Sequence, residues 1–380
     1  MNSSALISTL SDLVAIPSVN PAYDGGVSEI AVCDYVSRFC ASHGLESWTQ
    51  EVFPGRPNLI ARLPGQNPKR RIILEAHTDT APIHGMSVSP FDPECRNGNL
   101  YGRGACDTKA GLAAMMHAVG WLKQYGITPP CEVWLAAVAD EEFSFRGVLK
   151  LCEGLTANAA LVAEPTELRL VTATKGVLRW QIRVCGKAAH SSKPHLGVNA
   201  IEHMARLILA LEQDSKRGST TVHPLLGPAT CNIGVIRGGV QVNAVPDECV
   251  IEVDRRLLPG ETIRTVLDHY QALLDELSTR HPGFRAEQKQ PMLTDEALET
   301  PASADVVQVA QRVLSGMGWD GTPTGVPFGS DASKLARHGI PSVVVGPGSI
   351  NRAHAAEEFV ELDQVEAAFE FYRTFLQTFE

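Results

Sequence analysis

The pattern of apolar and polar positions changes character twice along the chain. Leu6, Leu10, Leu13 and Val14 recur at helical spacing behind Ser3 and Ser4, and Pro17 closes the run, which predicts an amphipathic first helix. Short apolar runs at Asn58–Leu63 and Arg71–His77 predict strands, and Thr108–Leu122, rich in Ala, Met and Leu, predicts a helix. Cys131–Ala139 is another apolar run, followed by a helical stretch near Gly147–Leu155 and a short strand at Ala159–Ala163. Alternation of this kind predicts an α/β sheet covered by helices.

From about Lys175 the pattern becomes two-faced. Val177–Val184 and Cys249–Leu257 alternate like half-exposed strands, and Val198–Glu212 has a strong helical period. Glu261–Arg280 predicts a long amphipathic helix that His281-Pro282-Gly283 breaks. Strands with one open face, each followed by a helix, predict a small α+β sandwich of roughly 110 residues. After Pro291 the first texture returns, with a helix near Ala304–Gly316, an apolar strand Ser342–Val345 and a last helix Leu362–Phe379. The expected organisation is therefore a catalytic domain built from 1–174 and 290–380, with 175–289 inserted into it.

At roughly 150 residues per domain, 380 residues suit this two-domain division. Lys plus Arg is 33 against 43 Asp plus Glu, a net charge of −10, which makes nucleic acid and anionic membrane poor partners. No run of about 18 apolar residues occurs, so no membrane-spanning segment is expected. The segment before Ile16 has no Lys or Arg and contains Asp12, unlike a secretory leader. Nine scattered cysteines without a C-x-x-C pair suit a reducing compartment. A cytoplasmic protein is expected.

Candidate chemistry gathers where apolar strands end. His77 closes Arg71–His77, and a strand's C-terminal end faces the crevice where open α/β sheets place ligands. Asp79 can accept from the imidazole's other N–H and fix its tautomer. Asp107 lies in a glycine-flanked loop entering a helix, where it can cap the helix or bridge two metal ions. Glu141 and Glu142 follow Cys131–Ala139, and adjacent acids repel one another unless solvated or facing cations. A functional reading splits this pair, one carboxylate ligating a metal and the other acting as general base. Glu164 ends a fourth strand, and His354 follows Ser342–Val345. Each residue has a structural alternative: a core histidine, a cap, a solvated loop. Two histidines and three carboxylates at the ends of one sheet favour a divalent ion such as Zn²⁺. Cys106 is expected to be a packed thiol.

These segments resemble the motifs of the M20 metallopeptidases: Glu-Ala-His77-Thr-Asp79-Thr, Gly-Arg-Gly-Ala-Cys-Asp107-Thr-Lys, Asp-Glu141-Glu142, Ala-Glu164-Pro-Thr and Gly-Pro-Gly-Ser-Ile-Asn-Arg-Ala-His354. The resemblance is strongest to the acetylornithine deacetylase and succinyl-diaminopimelate desuccinylase group, notably around His190 in Gly-Lys-Ala-Ala-His-Ser-Ser-Lys-Pro-His. It implies a zinc-peptidase-like mixed sheet with an inserted lid and dimerisation domain. It further implies two Zn²⁺ per subunit, with Co²⁺ or Mn²⁺ as substitutes. Asp107 bridges the ions, His77 and Glu164 complete one, and Glu142 and His354 the other. Glu141 is then the base, Asp79 the partner of His77, and His190 an oxyanion donor to the partner subunit's site. Arg256, beside Arg255, matches a lid arginine that holds a substrate carboxylate, and Asn243 a lid asparagine near the substrate. The implied reaction is hydrolysis of an N-acyl amino acid, N-acetylornithine first, with N-succinyl-diaminopimelate or a C-terminal peptide bond as alternatives. A non-catalytic binder on the same fold is the remote alternative, against which the intact Glu141 argues. Phe328-Gly329-Ser330-Asp-Ala-Ser333 departs from the Thr-Glu-Ala of the best-known acetylornithine deacetylases, and Gly329 and Ser330 are expected to line the substrate pocket.

Overall fold

A computed structural model describes residues 3–218 and 222–380. Met1 and Asn2, at the head of the expected first helix, lie outside the described residues. Helix α1 (Ser3–Ala15) buries Leu6, Leu10, Leu13 and Val14, the stripe that its spacing requires. Helix α2 (Ile30–Ser42) buries Val32, Cys33, Val36 and Cys40 in the same way. Helix α3 (Ala110–Gln124) is buried almost all round, which its small Ala and Gly residues permit. Helix α4 (Arg146–Cys152) follows the acidic loop, and Gly147 is forced there: a Cβ would stand 2.0 Å from the Ala139 carbonyl oxygen.

The chain divides into two compact units, the first formed by 1–172, 299–324 and 330–380, the second by 173–298 and 325–329. In the first unit four strands run parallel in the order Cys131–Val138, Asn67–His77, Ala159–Val162, Ser342–Val344. Glu46–Phe53 and Arg56–Leu63 extend this sheet antiparallel beyond Cys131–Val138. Because the four parallel strands share a direction, the residues after their C-terminal ends collect along one rim. That rim holds the candidate site.

The second unit is an antiparallel sheet in the order Thr230–Gly238, Glu248–Leu257, Gly176–Cys185, Ala286–Gln288. Helices α5 (Ala200–Gly218) and α6 (Ile263–Arg280) contribute Met204, Leu207, Tyr270 and Leu274 to its own core with Trp180, Ile182 and Ile251. Thr262 caps α6 through a reciprocal pair of bonds with Thr265. This unit runs past residue 289 to Leu298 because Leu293–Asp295 still pair with Gly176–Cys185. The chain then returns to the first unit through α7 (Asp305–Gly316), α8 (Ala332–Arg337) and α9 (Leu362–Thr378).

Candidate active site

His77 ends its strand with 1% of its surface exposed. Its Nδ1–H donates to the main-chain oxygen of Asp79 at 2.9 Å, which leaves Nε2 facing Asp107 Oδ1 at 3.0 Å. The Asp79 carboxylate, the expected partner of His77, lies 3.6 Å from the same nitrogen. That carboxylate accepts the main-chain N–H groups of Glu141 and Glu142, both at 3.1 Å, and the Asn20 amide at 2.8 Å. Asp79 thus shapes the acidic loop more directly than it orients the imidazole.

Asp107 sits in an irregular turn, Ala105–Lys109, that leads into α3. Its backbone N–H and that of Cys106 both donate to Glu358 Oε1 at 3.0 Å, so the side chain is turned outward rather than used as a cap. One carboxylate oxygen faces His77 Nε2 and the other faces His354 Nε2 at 3.3 Å. His354 also meets Glu142 Oε1 at 3.0 Å. Two groups of ligand atoms result, His77 with Asp107 and Glu164, and Asp107 with Glu142 and His354, each within 4.8 Å. Asp107 belongs to both.

Charge in this place is built to need cations. Burial pushes the Glu141 carboxyl up to about 8, with Glu142 and Asp107 adding to it and His77 opposing. Burial likewise raises Glu164, and repulsion from Asp107 and Glu141 adds to the effect. The carboxylates of Asp107 and Glu142 hold His354 up to about 10. Burial works against the ionised form of Asp107, yet hydrogen bonds from His354 and His77 hold it below the usual carboxylate range. Protons therefore take up an electrostatic role that divalent cations would fill. The donors are oxygen and imidazole, with Cys106 Sγ turned toward the Ser349 carbonyl oxygen at 3.3 Å, so the set fits a first-row divalent ion.

The candidate residues of the second unit are arranged differently. Ala189–His190 pairs with Ala244–Val245, and Ser191 N–H donates to the Asn243 carbonyl oxygen at 3.1 Å, so His190 and Asn243 share one ribbon. His190 is exposed. Ser192 N–H donates to its Nδ1 at 3.2 Å, which places the ring proton on Nε2, pointing away as a donor. Arg255 is engaged by Glu261 at 2.7 Å, whereas Arg256 pairs with Asp254 at 2.9 Å. Gly329 is a close-approach position, since a Cβ would stand 2.1 Å from Asp295 Oδ2. Ser330, the first residue of the segment that returns to the first unit, is 1% exposed, and its carbonyl oxygen is taken by Lys334. Its hydroxyl is buried with no hydrogen-bond partner among the described residues.

A profile of peptidase family M20/M25/M40 matches residues 73–378. The chain belongs to this family. It is 32% identical to an acetylornithine deacetylase of Myxococcus xanthus, over 95% of this chain and 94% of that one. It is 30% identical to an acetylornithine deacetylase of Yersinia pestis, over 93% of this chain and 92% of that one. Among solved structures, a tripeptidase of Staphylococcus aureus aligns with a TM-score of 0.83 at 24% identity, covering 99% and 98% of the two chains. A dinuclear metal binding M20 peptidase of Bacillus subtilis aligns at 0.76 with 17% identity, covering 98% and 97%. Metal-dependent hydrolysis of an amide bond is the chemistry that M20 membership brings to this chain. The mixed α/β fold is that of M20 peptidases.

Several residues that shape this M20 site escaped the sequence reading. Asn20 bridges Asp79 and Asp140 with one amide nitrogen, at 2.8 and 2.9 Å. Arg56 joins Glu29 to Asp140, and Tyr23 Oη donates to the Glu142 carbonyl oxygen at 2.8 Å. Glu358 organises the Asp107 turn from 251 residues away. None has a local motif, because each acts on a segment distant in sequence.

Proposed function

We propose that this chain is a dinuclear zinc amidohydrolase that cleaves N-acyl amino acids, N-acetylornithine first among them. The observation that carries the reading is Asp107, whose two oxygens are divided between His77 and His354 at 3.0 and 3.3 Å. A carboxylate so placed would hold one ion with His77 and Glu164 and a second with Glu142 and His354. When bound, the ions supply Lewis acidity toward the amide carbonyl and the attacking water. Glu141 takes the proton of that water and delivers it to the leaving amine. Asp79 holds the backbone of Glu141 and Glu142, which fixes the base relative to the ligand beside it. His190, with Nε2–H outward, donates to the developing oxyanion in the site of a partner subunit. Arg256 binds the substrate carboxylate, and Asn243 lies with His190 at the substrate. The second unit serves as lid and as the surface of a homodimer, and the protein works in the cytoplasm.

The acetylornithine deacetylases among the relatives support the substrate choice. The test is a hydrolysis screen of N-acetylornithine, N-succinyl-diaminopimelate and dipeptides, with metal analysis of the same preparation. Rapid release of ornithine by protein carrying about two zinc ions per chain is expected. Preference for a dipeptide or the succinyl compound overturns the substrate, and activity insensitive to chelation overturns the chemistry.

A further inference from the structure

The loop that carries Glu141 is gripped from two sides. Asp79, Asn20, Arg56 and Tyr23 hold one side through hydrogen bonds. On the other stands α8, where Lys334 Nζ lies 3.3 Å from the centroid of the Phe145 ring and donates to the Ser330 carbonyl oxygen at 3.1 Å. Phe145 closes the loop: its N–H donates to the Asp140 carbonyl oxygen at 2.7 Å. Asp140 and Phe145 both have left-handed backbones, with φ of 68° and 60°. A bulky aromatic residue seldom holds that conformation, so its ring needs a fixed neighbour. Lys334 is 8% exposed, and an ammonium withdrawn from water is tolerated where acceptors and a ring face receive it.

The same ammonium stands among acids. Glu75 and Asp331 are each 1% exposed, and their carboxylates accept from no donor group among the described residues. Both feel the Lys334 charge, as does Glu141. Lys334 therefore stands where the base loop, the strand that ends in His77 and α8 converge.

We propose that Lys334 is a positioning residue for the general base: seated on Phe145, it fixes the far end of the 140–145 loop and so aims Glu141 at the reacting groups. The inference rests on the base role proposed for Glu141. It gives the Gly329-Ser330-Asp331-Ala332 segment a purpose other than lining the pocket. That segment starts the short helix that delivers Lys334.

Four variants of the full-length enzyme test this, Lys334→Met, Lys334→Arg, Phe145→Leu and Phe145→Trp, each measured for kcat, KM, bound metal and melting temperature. Lys334→Met keeps the stem and loses the charge, so kcat should fall ~10-fold or more, as misplaced catalytic groups do, with KM and metal content near wild type. Lys334→Arg and Phe145→Trp preserve a cation on a ring and should recover most of kcat. Phe145→Leu should match Lys334→Met, and the double variant should be no worse than either. Wild-type kcat in Lys334→Met, a loss that tracks loss of metal, or losses that multiply in the double variant would each overturn the proposal. Should Lys334→Met fail to fold, wild-type kcat in Phe145→Leu overturns it equally. Glu141→Gln separates the two claims: full turnover in that variant refutes the base itself, whatever Lys334 does.

Discussion

In the first unit His77, Asp107 and Glu164 are withdrawn from water at the rim of a parallel sheet, whereas in the second His190 stands exposed on a two-stranded ribbon. The first group is fixed by what surrounds it. Sheet order brings three strand ends together, Glu358 holds the Asp107 turn, and Asp79 holds the acidic loop. The second group has local order only: Ser192 sets the tautomer of His190, and Asp254 engages Arg256. Buried acids that repel one another are maintained by the fold and relieved by cations. Exposed or half-buried donors such as these cost the fold little. The contrast is between a centre whose geometry the fold preorganises and groups whose geometry is set locally.

The largest effect should come from removing metal. A chelator should abolish hydrolysis and one of the three divalent ions, Zn²⁺, Co²⁺ or Mn²⁺, should restore it, measured with metal analysis at each step. Retained activity would erase the distinction, since the buried acids would then serve structure alone. Next, Glu141→Gln should lower kcat by ~10²–10⁴-fold with metal retained. Glu142→Gln should instead lose metal, and exchanged phenotypes would reverse the roles within the pair.

His190→Ala tests the exposed side. It should cost ~10²–10³-fold in kcat and leave metal content and melting unchanged. Mixed with Glu141→Gln under subunit exchange, it should regain activity in step with heterodimer formation, because one site then has both groups intact. Verified heterodimers as inactive as their parents would confine His190 to its own chain. Asn20→Ala should have a smaller effect, ~10-fold in kcat with a loss of about 1–3 kcal/mol in unfolding experiments, since two buried carboxylates lose their shared donor. Wild-type turnover there would show that Asp79 and Arg56 suffice to hold the loop. The smallest change is expected from the arginines: Arg256→Ala should raise KM with little change in kcat. If Arg255→Ala does so instead, Arg255 holds the carboxylate despite its engagement with Glu261.

What the sequence made legible follows the same division. Residues that end apolar strands could be placed before any coordinates, because a parallel sheet collects strand ends by geometry. Helices with a clear stripe, such as Leu6, Leu10, Leu13 and Val14, were equally plain. Helix α2 and strands Glu46–Phe53 and Thr230–Gly238 were not foreseen. Glu46–Phe53 keeps no strict alternation between exposed and half-buried positions, whereas Thr230–Ile236 alternates regularly, with Cys231, Ile233 and Val235 on the half-buried side, and is a period-two signal that the sequence carries. The Asp79 carboxylate lies beside the imidazole and also accepts the main-chain N–H groups of Glu141 and Glu142, a second role that no local spacing announces. Ser330 was expected at the pocket as part of a loop that departs from the family pattern, and in the fold its carbonyl oxygen accepts from Ser333 and Lys334 at the start of α8. Polar partners such as Asn20, Arg56 and Lys334 have no local signature. Only the folded chain brings them to the segments they hold.

Strand Ser342–Val344 has a consequence for how this centre comes into being. It lies inside the sheet, beside Ala159–Val162 and Val171–Thr174, yet it is synthesised after the whole inserted unit. A ribosome that has delivered residue 172 has made His77, Asp107, Glu141, Glu142 and Glu164 but neither that strand nor His354. The nascent sheet has an open edge throughout translation of the insertion, and long-range pairing of this kind is slow. The candidate ligand set is therefore complete only after the inserted unit has been made and residues 342–354 have joined the sheet. A translation product halted before residue 342 has four of the five candidate ligands on an unfinished sheet.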